Sequence, residues 1–258
     1  MKRVVGVIPA RWQSSRFPGK PLAEILGKSL IQRTYENAAR CKSLDSLVVA
    51  TDDVRIFEHA QSFGAEVCMT SAACATGTDR SWEVIENSFP EAEIVVNIQG
   101  DEPCLDPEVI DLLVAHLHQH PEAVMTTPVS PIADRHQALM PNVVKCVFDR
   151  KGRALYFSRS PIPFAHTLDQ IPQYYRHVGV YCFRRDALRH YVMLEKTPLQ
   201  AYEDLEQLKM LENGLPIHVC VVDDQAAGVD TPADLKLVEK LLWQKENICS
   251  SLAALSPL

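Results

Sequence analysis

Short apolar runs rich in β-branched residues recur along the chain and alternate with segments of helical periodicity. We predict strands at residues 3–8, 47–51, 94–98, 124–129, 144–148, 178–183 and 217–222. The first and third runs are almost wholly apolar, which is typical of strands buried on both faces. The pattern therefore favours a parallel or mixed central sheet.

Helical patterns fall between these strands, and we predict helices at residues 28–41, 107–119, 201–212 and 232–244. Asp106 and Pro107 suit the N-cap and the first turn of the second helix. Thr231 and Asp234 form a variant of the capping box at the start of the fourth helix. The alternation predicts an α/β fold with a doubly wound, mostly parallel (mixed) central sheet and helices on both faces.

The chain shows no repeat, low-complexity segment or interdomain linker. We therefore predict a single domain at residues 1–246 and a C-terminal tail at 247–258. Residues 158–176 have little periodicity and include Pro161 and Pro163. We predict a long loop there, of the kind that often covers substrates in α/β enzymes.

Composition and charge narrow the class of protein. A net charge of −7 argues against a general nucleic-acid-binding surface, because such binding needs many basic side chains facing phosphates. The 8 cysteines form no CxxC pair, and several lie inside apolar runs, as reduced thiols do. No apolar run is long enough to span a bilayer, and the N-terminal run is too short for a signal peptide. We expect a cytoplasmic protein without membrane insertion.

The loop after the first strand, residues 9–20, carries three cations and three small residues: Arg11, Arg16, Lys20, Ser14, Ser15 and Gly19. Ligands of doubly wound sheets bind where such a loop emerges. Small residues let backbone N–H groups turn toward an anion, while Arg and Lys suit phosphate oxygens. The loop is not a Walker A motif, because Ser14 replaces its first glycine and Pro21 its Ser or Thr. It is either a polyphosphate cradle or a plain basic loop.

Two carboxylates are candidate metal ligands. Asp101 follows the apolar run at 94–98, and Asp230 precedes the fourth predicted helix. Mg²⁺ prefers oxygen ligands and usually takes one or two carboxylates together with substrate phosphates. The alternative for each residue is a structural role in a turn or a helix cap. The spacing alone does not show that the two carboxylates meet.

Eight blocks of sequence resemble one family in order. They are IPARWQSSRFPGKPL at 8–22, ATDD at 50–53, GTDR at 77–80, VNIQGDEP at 96–103, ALYFSRSPIPF at 154–164, RHVGVY at 176–181, LEQLKMLENG at 205–214 and GVDTPADL at 228–235. Together they resemble the CMP-Kdo synthetases, the 3-deoxy-manno-octulosonate (Kdo) cytidylyltransferases, over nearly the whole chain. The chain departs from many members at GTDR, where they have GTER, and at Trp82, where they often have Leu.

The resemblance implies a fold of the nucleotidyltransferase type and a reaction. CTP and Kdo give CMP-Kdo and pyrophosphate, with Mg²⁺ as cofactor, for lipopolysaccharide biosynthesis. It implies catalytic roles for Arg11, Lys20, Asp101 and Asp230, the last two as metal ligands. It also implies a homodimer, for which we expect the strand and helix around 178–189 to form part of the contact. An excursion around 155–195 would serve sugar binding and dimerisation.

The resemblance further implies two sets of binding residues. Those for the nucleotide are Ala10, Ser14, Ser15, Arg16, Thr78, Arg80 and Gln99. Those for the sugar acid are Arg159, His177, Tyr181, Glu206 and Gln207. Taken without the resemblance, Glu206 and Gln207 would be solvated residues of a helix, Tyr181 a core residue and His177 a structural histidine.

Other features and functions remain as alternatives. His116, His118 and His120 look like a metal cluster, but on a helix only the first and third share a face, so we interpret them as a surface helix end. Asp52 and Asp53 are read as an acidic pair at a helix N-terminus. The alternative functions are a cytidylyltransferase for sialic acid or an amino-substituted Kdo, and a non-catalytic nucleotide-sugar-binding module. A dehydrogenase is excluded because the glycine fingerprint is missing.

Overall fold

This computed structural model describes residues 3–13, 17–167, 172–223, 228–229 and 231–254. Within these ranges the chain forms a central sheet of ten strands. One half of the sheet is wholly parallel, and its strands lie in the spatial order β5 (Glu66–Met69), β4 (Ser46–Thr51), β1 (Arg3–Ala10) and β6 (Ala92–Ile98). Two short strands, β2 (Glu24–Ile25) and β3 (Lys28–Ser29), form a separate hairpin. The two most apolar runs of the sequence, in β1 and β6, are therefore neighbours.

The other half of the sheet is mixed, because β11 (Val180–Arg184) lies antiparallel between β6 and β7 (Met125–Pro131). The order continues from β7 through β10 (Tyr175–His177), β8 (Lys145–Phe148) and β9 (Ala154–Ser158), while β12 (Ile217–Val221) runs parallel to β7. The prediction of a doubly wound, mixed sheet is confirmed. Its parallel half carries the end of β1, from which the first loop leaves.

Helices connect the strands of this sheet. Within the described ranges they are α1 (Leu30–Ala38), α2 (Val54–Ser62), α3 (Gly77–Ser88), α4 (Pro107–Gln119), α5 (Arg135–Ala138), α6 (Arg185–Met193), α7 (Pro198–Glu203), α8 (Leu208–Glu212) and α9 (Pro232–Ala254). Two predicted caps are confirmed. The Asp106 carboxylate accepts from the Glu108 N–H at 3.0 Å, and the Thr231 N–H donates to the Asp234 carboxylate at 2.7 Å.

The core lies on both faces of the sheet, as the alternation along β1 shows. Val4 and Ile8 pack into the apolar cluster that holds residues of α1, α2 and α4. Val5 and Val7 point to the opposite cluster, which holds residues of α3, α6 and α8. Burial of apolar side chains is the main favourable term in folding, and β1 buries side chains on both faces of the sheet. The strand therefore holds the start of the first loop in a fixed position.

The prediction of one helix over residues 201–212 is wrong. The chain breaks between α7 and α8, because Asp204 has a left-handed backbone with φ of 51° that no helix continues through. Thr197 and Gln200 form a capping box that starts α7 separately. Glu206 and Gln207 therefore lie in the turn between two short helices and not along one exposed face.

Two further expectations change. Helix α9 continues to Ala254, past the predicted end at residue 244 and into the segment predicted as a tail. The expected contribution of the strand around 178–183 to a dimer contact is wrong, because Val180, Cys182 and Phe183 are buried in the sheet of a single chain. No helix among the described residues has the length and apolar character needed to cross a bilayer.

Candidate active site

A cavity of about 700 Å³ opens where β1 and β6 end. Seven of the residues predicted for the site line it: Arg11, Gln99, Asp101, His177, Tyr181, Glu206 and Gln207. The end of β1 brings Arg11, the turn after β6 brings Gln99 and Asp101, and the break between α7 and α8 brings Glu206. Residues far apart in sequence thus meet at the edge of the sheet where doubly wound folds bind their ligands.

Lys20 contacts Asp101, one of the residues that line the cavity. Its ammonium group donates to the Asp101 carboxylate and, at 2.8 Å, to the Val229 carbonyl oxygen. Gly19 precedes it with φ of 72°, a left-handed conformation that glycine adopts without strain. The positive charge is therefore held at the rim, beside the carboxylate that was predicted to bind metal.

The N-terminal end of α3 forms another wall. Ala75, Thr76 and Gly77 line the cavity, and the Arg11 guanidinium reaches the Ala75 carbonyl oxygen at 3.5 Å. A Cβ at Gly77 would lie 3.0 Å from the Pro9 ring, so this close approach of helix and strand favours glycine. A helix N-terminus carries partial positive charge, which suits an anionic ligand.

Tyr181 and Gln207 form a buried polar pair on the opposite wall. The Tyr181 hydroxyl donates to Gln207 Oε1 at 3.2 Å. Gln207 is 1% exposed, and its Nε2 has no hydrogen-bond partner. A buried amide donor without a partner costs about 1–3 kcal/mol, and a ligand oxygen in the cavity would remove that cost. Burial also raises the pKa of Tyr181 well above its usual value.

Glu206 is held by a chain of hydrogen bonds from the interior of the sheet. Asn97 Nδ2 donates to the Thr78 hydroxyl at 2.9 Å, and that hydroxyl donates to Glu206 Oε2 at 2.8 Å. Burial raises the pKa of Glu206, although the Thr78 hydrogen bond opposes this shift. The carboxylate lines the cavity with a fixed orientation, as an acceptor for a ligand hydroxyl needs.

His177 has a defined tautomer. Its Nε2 lies 2.8 Å from the Thr127 hydroxyl, which donates its own proton to the Val180 carbonyl oxygen at 2.8 Å. The Thr127 oxygen must therefore accept, so His177 carries its proton on Nε2 and offers Nδ1 as an acceptor. Burial, together with the nearby Arg176 charge, lowers the pKa of His177 to about 3. The ring is neutral at physiological pH.

Besides Lys20, which contacts the cavity residue Asp101, four predicted residues do not line the cavity. Ala10 is buried at the end of β1, and Thr78 lies under Glu206. Arg80 is buried, and its guanidinium pairs with Asp52 at 3.1 Å and donates to Thr70. The Arg159 guanidinium donates to the carbonyl oxygens of Glu203, Pro141 and Asp204. The donors of both arginines already have partners within the protein, and their substrate contacts stay predictions.

The remaining predicted residues, Ser14, Ser15, Arg16 and Asp230, lie outside the described ranges. Within those ranges, no three His, Cys, Asp or Glu side chains are placed together to hold a metal ion. The pairing of Asp101 with Asp230 thus stays a prediction. His116, in the last turn of α4, stacks on His120, the residue just after the helix, with their ring centroids 4.2 Å apart.

Some cavity residues were not predicted from the sequence. They are, among others, Asp79, Lys196, Gln200 and Lys209. The Lys209 ammonium lies 3.8 Å from the centre of the Tyr191 ring and donates to the Leu194 carbonyl oxygen at 3.3 Å. Lys209 could have been predicted, because it lies three residues after Glu206 in the same block of sequence, 205–214. Lys196 and Gln200 lie on either side of Thr197 and Pro198, where α7 begins. The start of this helix was not predicted from the sequence.

Comparison with known proteins identifies the family. A cytidylyltransferase family model matches residues 5–218. A 3-deoxy-manno-octulosonate cytidylyltransferase of Chlamydia abortus is 56% identical over 242 residues, with 94% of each chain covered. The chain belongs to the 3-deoxy-manno-octulosonate cytidylyltransferase family. Another member of this family, from Protochlamydia amoebophila, is 51% identical over 248 residues, covering 94% of this chain and 95% of its own.

Solved structures agree with this membership. The structure of a CMP:2-keto-3-deoxy-manno-octonic acid synthetase complexed with CTP is 40% identical, with a TM-score of 0.89, covering 95% of this chain and all (100%) of its own. A 4-diphosphocytidyl-2C-methyl-D-erythritol synthase from Anaerococcus prevotii has a TM-score of 0.63 at 14% identity, covering 94% of this chain and 96% of its own. The second likeness shows the shared fold alone.

Proposed function

We propose that this chain is a cytoplasmic enzyme that activates Kdo with CTP, giving CMP-Kdo and pyrophosphate for lipopolysaccharide biosynthesis. The observation that carries the proposal is a single cavity with two unlike ends. The rim holds the cations Arg11 and Lys20, and the buried wall holds the unpartnered amide of Gln207 beside Glu206. A triphosphate suits the rim, and a sugar rich in hydroxyl groups suits the wall.

At the rim, the chemistry requires positioning and charge neutralisation. The anomeric hydroxyl of Kdo loses its proton to solvent and attacks the α-phosphorus of CTP. A new P–O bond forms, the bond from the α-phosphorus to the bridging oxygen breaks in line with it, and pyrophosphate leaves with that electron pair. Arg11 and Lys20 would hold the triphosphate and neutralise charge that grows on its oxygens. No covalent bond to the protein is needed.

At the wall, each group has a fixed role as a donor or an acceptor. Gln207 Nε2 donates, because Tyr181 occupies its Oε1. His177 Nδ1 and the Glu206 carboxylate accept from sugar hydroxyls. A site built from such groups discriminates strongly against ligands that lack a matching hydroxyl, because its polar groups would stay buried without partners.

We further propose Mg²⁺ as the cofactor, held by Asp101 and Asp230. The Asp101 carboxylate fits, because it lines the cavity within reach of a triphosphate, and hard oxygen ligands are those that Mg²⁺ prefers. When bound, the ion would supply neutralisation of phosphate charge. Lys20 donates to the same carboxylate, so the ammonium group holds the Asp101 side chain in its orientation.

The deciding experiment measures pyrophosphate release with CTP and Mg²⁺, comparing Kdo, an amino-substituted Kdo and sialic acid. We expect release with Kdo at the highest kcat/KM, and a large loss of kcat/KM for Kdo in Gln207→Leu. Higher kcat/KM with either other sugar would identify a cytidylyltransferase of different specificity. Binding of CTP and sugar without any pyrophosphate would identify a non-catalytic module.

A homodimer is the second part of the proposal. Edge strand β9 exposes Leu155, 61% accessible, and the neighbouring α7 exposes Tyr202, 84% accessible. The two elements are joined through the Ser158 hydroxyl, which donates to Glu203 at 2.6 Å. Light scattering after size-exclusion chromatography should give twice the chain mass, and Tyr202→Ser should weaken the association. A monomer at all concentrations would contradict this part alone.

A further inference from the structure

Trp12 lies in the middle of a set of contacts at the base of the first loop. The Arg55 guanidinium lies 3.4 Å from the centre of its indole ring. The same ring packs on Gly19 so closely that a Cβ there would come within 2.9 Å of it. The Gly19 N–H also donates to the Trp12 carbonyl oxygen at 3.0 Å. Ring and backbone together close the loop between positions 12 and 19.

Arg55 is itself held in place by Asp53. The Arg55 Nε and Nη2 atoms donate to the two carboxylate oxygens at 2.9 and 2.6 Å. Asp53 is fixed in turn as the N-cap of α2, where it accepts from the Arg55 N–H at 3.0 Å, and its own N–H donates to the Thr51 hydroxyl at 3.2 Å. A bidentate pair fixes the plane of the guanidinium as well as its distance. The cation is thus aligned by the end of β4 before it meets the ring.

The two residues in contact at the base of the loop, Trp12 and Gly19, are each next in sequence to a cation of the cavity rim. Trp12 follows Arg11 directly, and Gly19 precedes Lys20 directly. Arg55 does not line the cavity, and among the described residues its contact with the first loop is the one with the Trp12 ring. A change in how the ring packs would move both cations relative to each other and to Asp101.

We propose that Arg55 is a positioning residue for the nucleotide: through Trp12 it keeps the first loop closed, so that Arg11 and Lys20 face the triphosphate together. The identity of the ligand rests on the proposed function. Arg55 is about half exposed, and a cation–π contact at an exposed site corresponds to about a two- to fivefold effect on an equilibrium. This range sets the size of the expected change.

The kinetic test compares Arg55→Ala, Arg55→Lys and Arg150→Ala in pyrophosphate release. Arg55→Ala should raise the KM for CTP about two- to fivefold and leave the KM for Kdo unchanged. Arg55→Lys should restore part of the loss, because it keeps a cation but loses the fork toward Asp53. Arg150 is an exposed arginine in the turn after β8, so its loss controls for net charge and should change nothing.

A double-mutant cycle shows whether the effect passes through the ring. In a Trp12→Leu background, Arg55→Ala should raise the KM for CTP no further. An effect of equal size in both backgrounds would mean that Arg55 acts by long-range charge, and the proposal would be overturned. An unchanged KM in the single variant would overturn it as well.

Hydrogen exchange of the ligand-free protein separates this proposal from the proposed function. Amides in a peptide covering residues 11–20 should exchange faster in Arg55→Ala than in wild type or Arg150→Ala. This outcome supports the closure even if the wild-type protein released no pyrophosphate from CTP and Kdo. Equal exchange in all three proteins would overturn the closure whatever the activity.

Discussion

Replacing Thr78 with valine tests whether its hydroxyl serves the interior of the protein or the ligand. The residue is 1% exposed, and valine keeps nearly its shape while removing the oxygen. In the structure this oxygen accepts from Asn97 and donates to Glu206. Thr78→Val therefore breaks two hydrogen bonds in one step without creating a sizeable cavity.

The two losses differ in size. Asn97 is fully buried, so its Nδ2 stays without a partner, and such a group costs about 1–3 kcal/mol. Glu206 lines the cavity, where water can replace the hydroxyl, so we take about 1 kcal/mol for this bond. The free energy of unfolding should fall by about 2–4 kcal/mol, which a typical domain survives.

Urea unfolding measures this loss from the midpoint at constant m-value. Thr126→Val is the matched control, because Thr126 is equally buried but bonds only uncharged groups, the Leu113 carbonyl at 3.3 Å and the Cys182 thiol. It should cost about 1 kcal/mol. In kinetics, Thr78→Val should raise the KM for the sugar, since Glu206 loses its support. Unchanged stability together with a raised KM for CTP alone would refute the reasoning and favour direct contact with the nucleotide.

Three further predictions concern the rim and the contact between His116 of α4 and His218 of β12. Asp101→Asn should abolish pyrophosphate release while circular dichroism stays native; a wild-type rate at saturating Mg²⁺ would remove Asp101 from the metal site. Lys20→Ala should lower kcat by about 10²- to 10³-fold, the effect of one lost donor to a developing negative charge, and an unchanged kcat would exclude that role. Burial, then neighbouring histidines, lowers the pKa of His116, and burial also lowers that of His218, from 6.5. The unfolded chain therefore binds protons more readily, so the stability present above pH 6.5 is lost as the pH falls below it. His116→Gln should flatten that dependence in urea titrations, and an unchanged slope would contradict the assignment.

The sequence predicted the elements whose signals are local. Strand β6 is predicted as buried because most of its residues are apolar, and α4 begins where Asp106 and Pro107 place its start. The same holds for the cations of the first loop, which lie close together in sequence. Periodicity and capping depend on neighbours within a few residues, so a single chain displays them directly.

The sequence could not show which polar groups already have partners. Arg80 looked available for a nucleotide, but Asp52, far away in sequence, holds it in the interior. The break at Asp204 was hidden because the leucines around it keep a helical spacing, while only one left-handed residue decides the geometry. Strand β10, at three residues, is defined by pairing with β7 and not by its own pattern. Such features depend on contacts across the fold.

The position of β11 has a consequence for how the chain is made. This strand joins β6 to β7, yet it begins at Val180, long after β7 has ended at Pro131, and so it leaves the ribosome much later. The nascent sheet therefore stays in two parts until residue 184 emerges, and pairings between distant segments form slowly. Because Tyr181 belongs to the same strand, and Glu206 and Gln207 follow it in the chain, the wall that faces the sugar is completed only after this step. A half-made chain would already contain Arg11, Lys20 and Asp101 of the rim, but none of the residues that face the sugar.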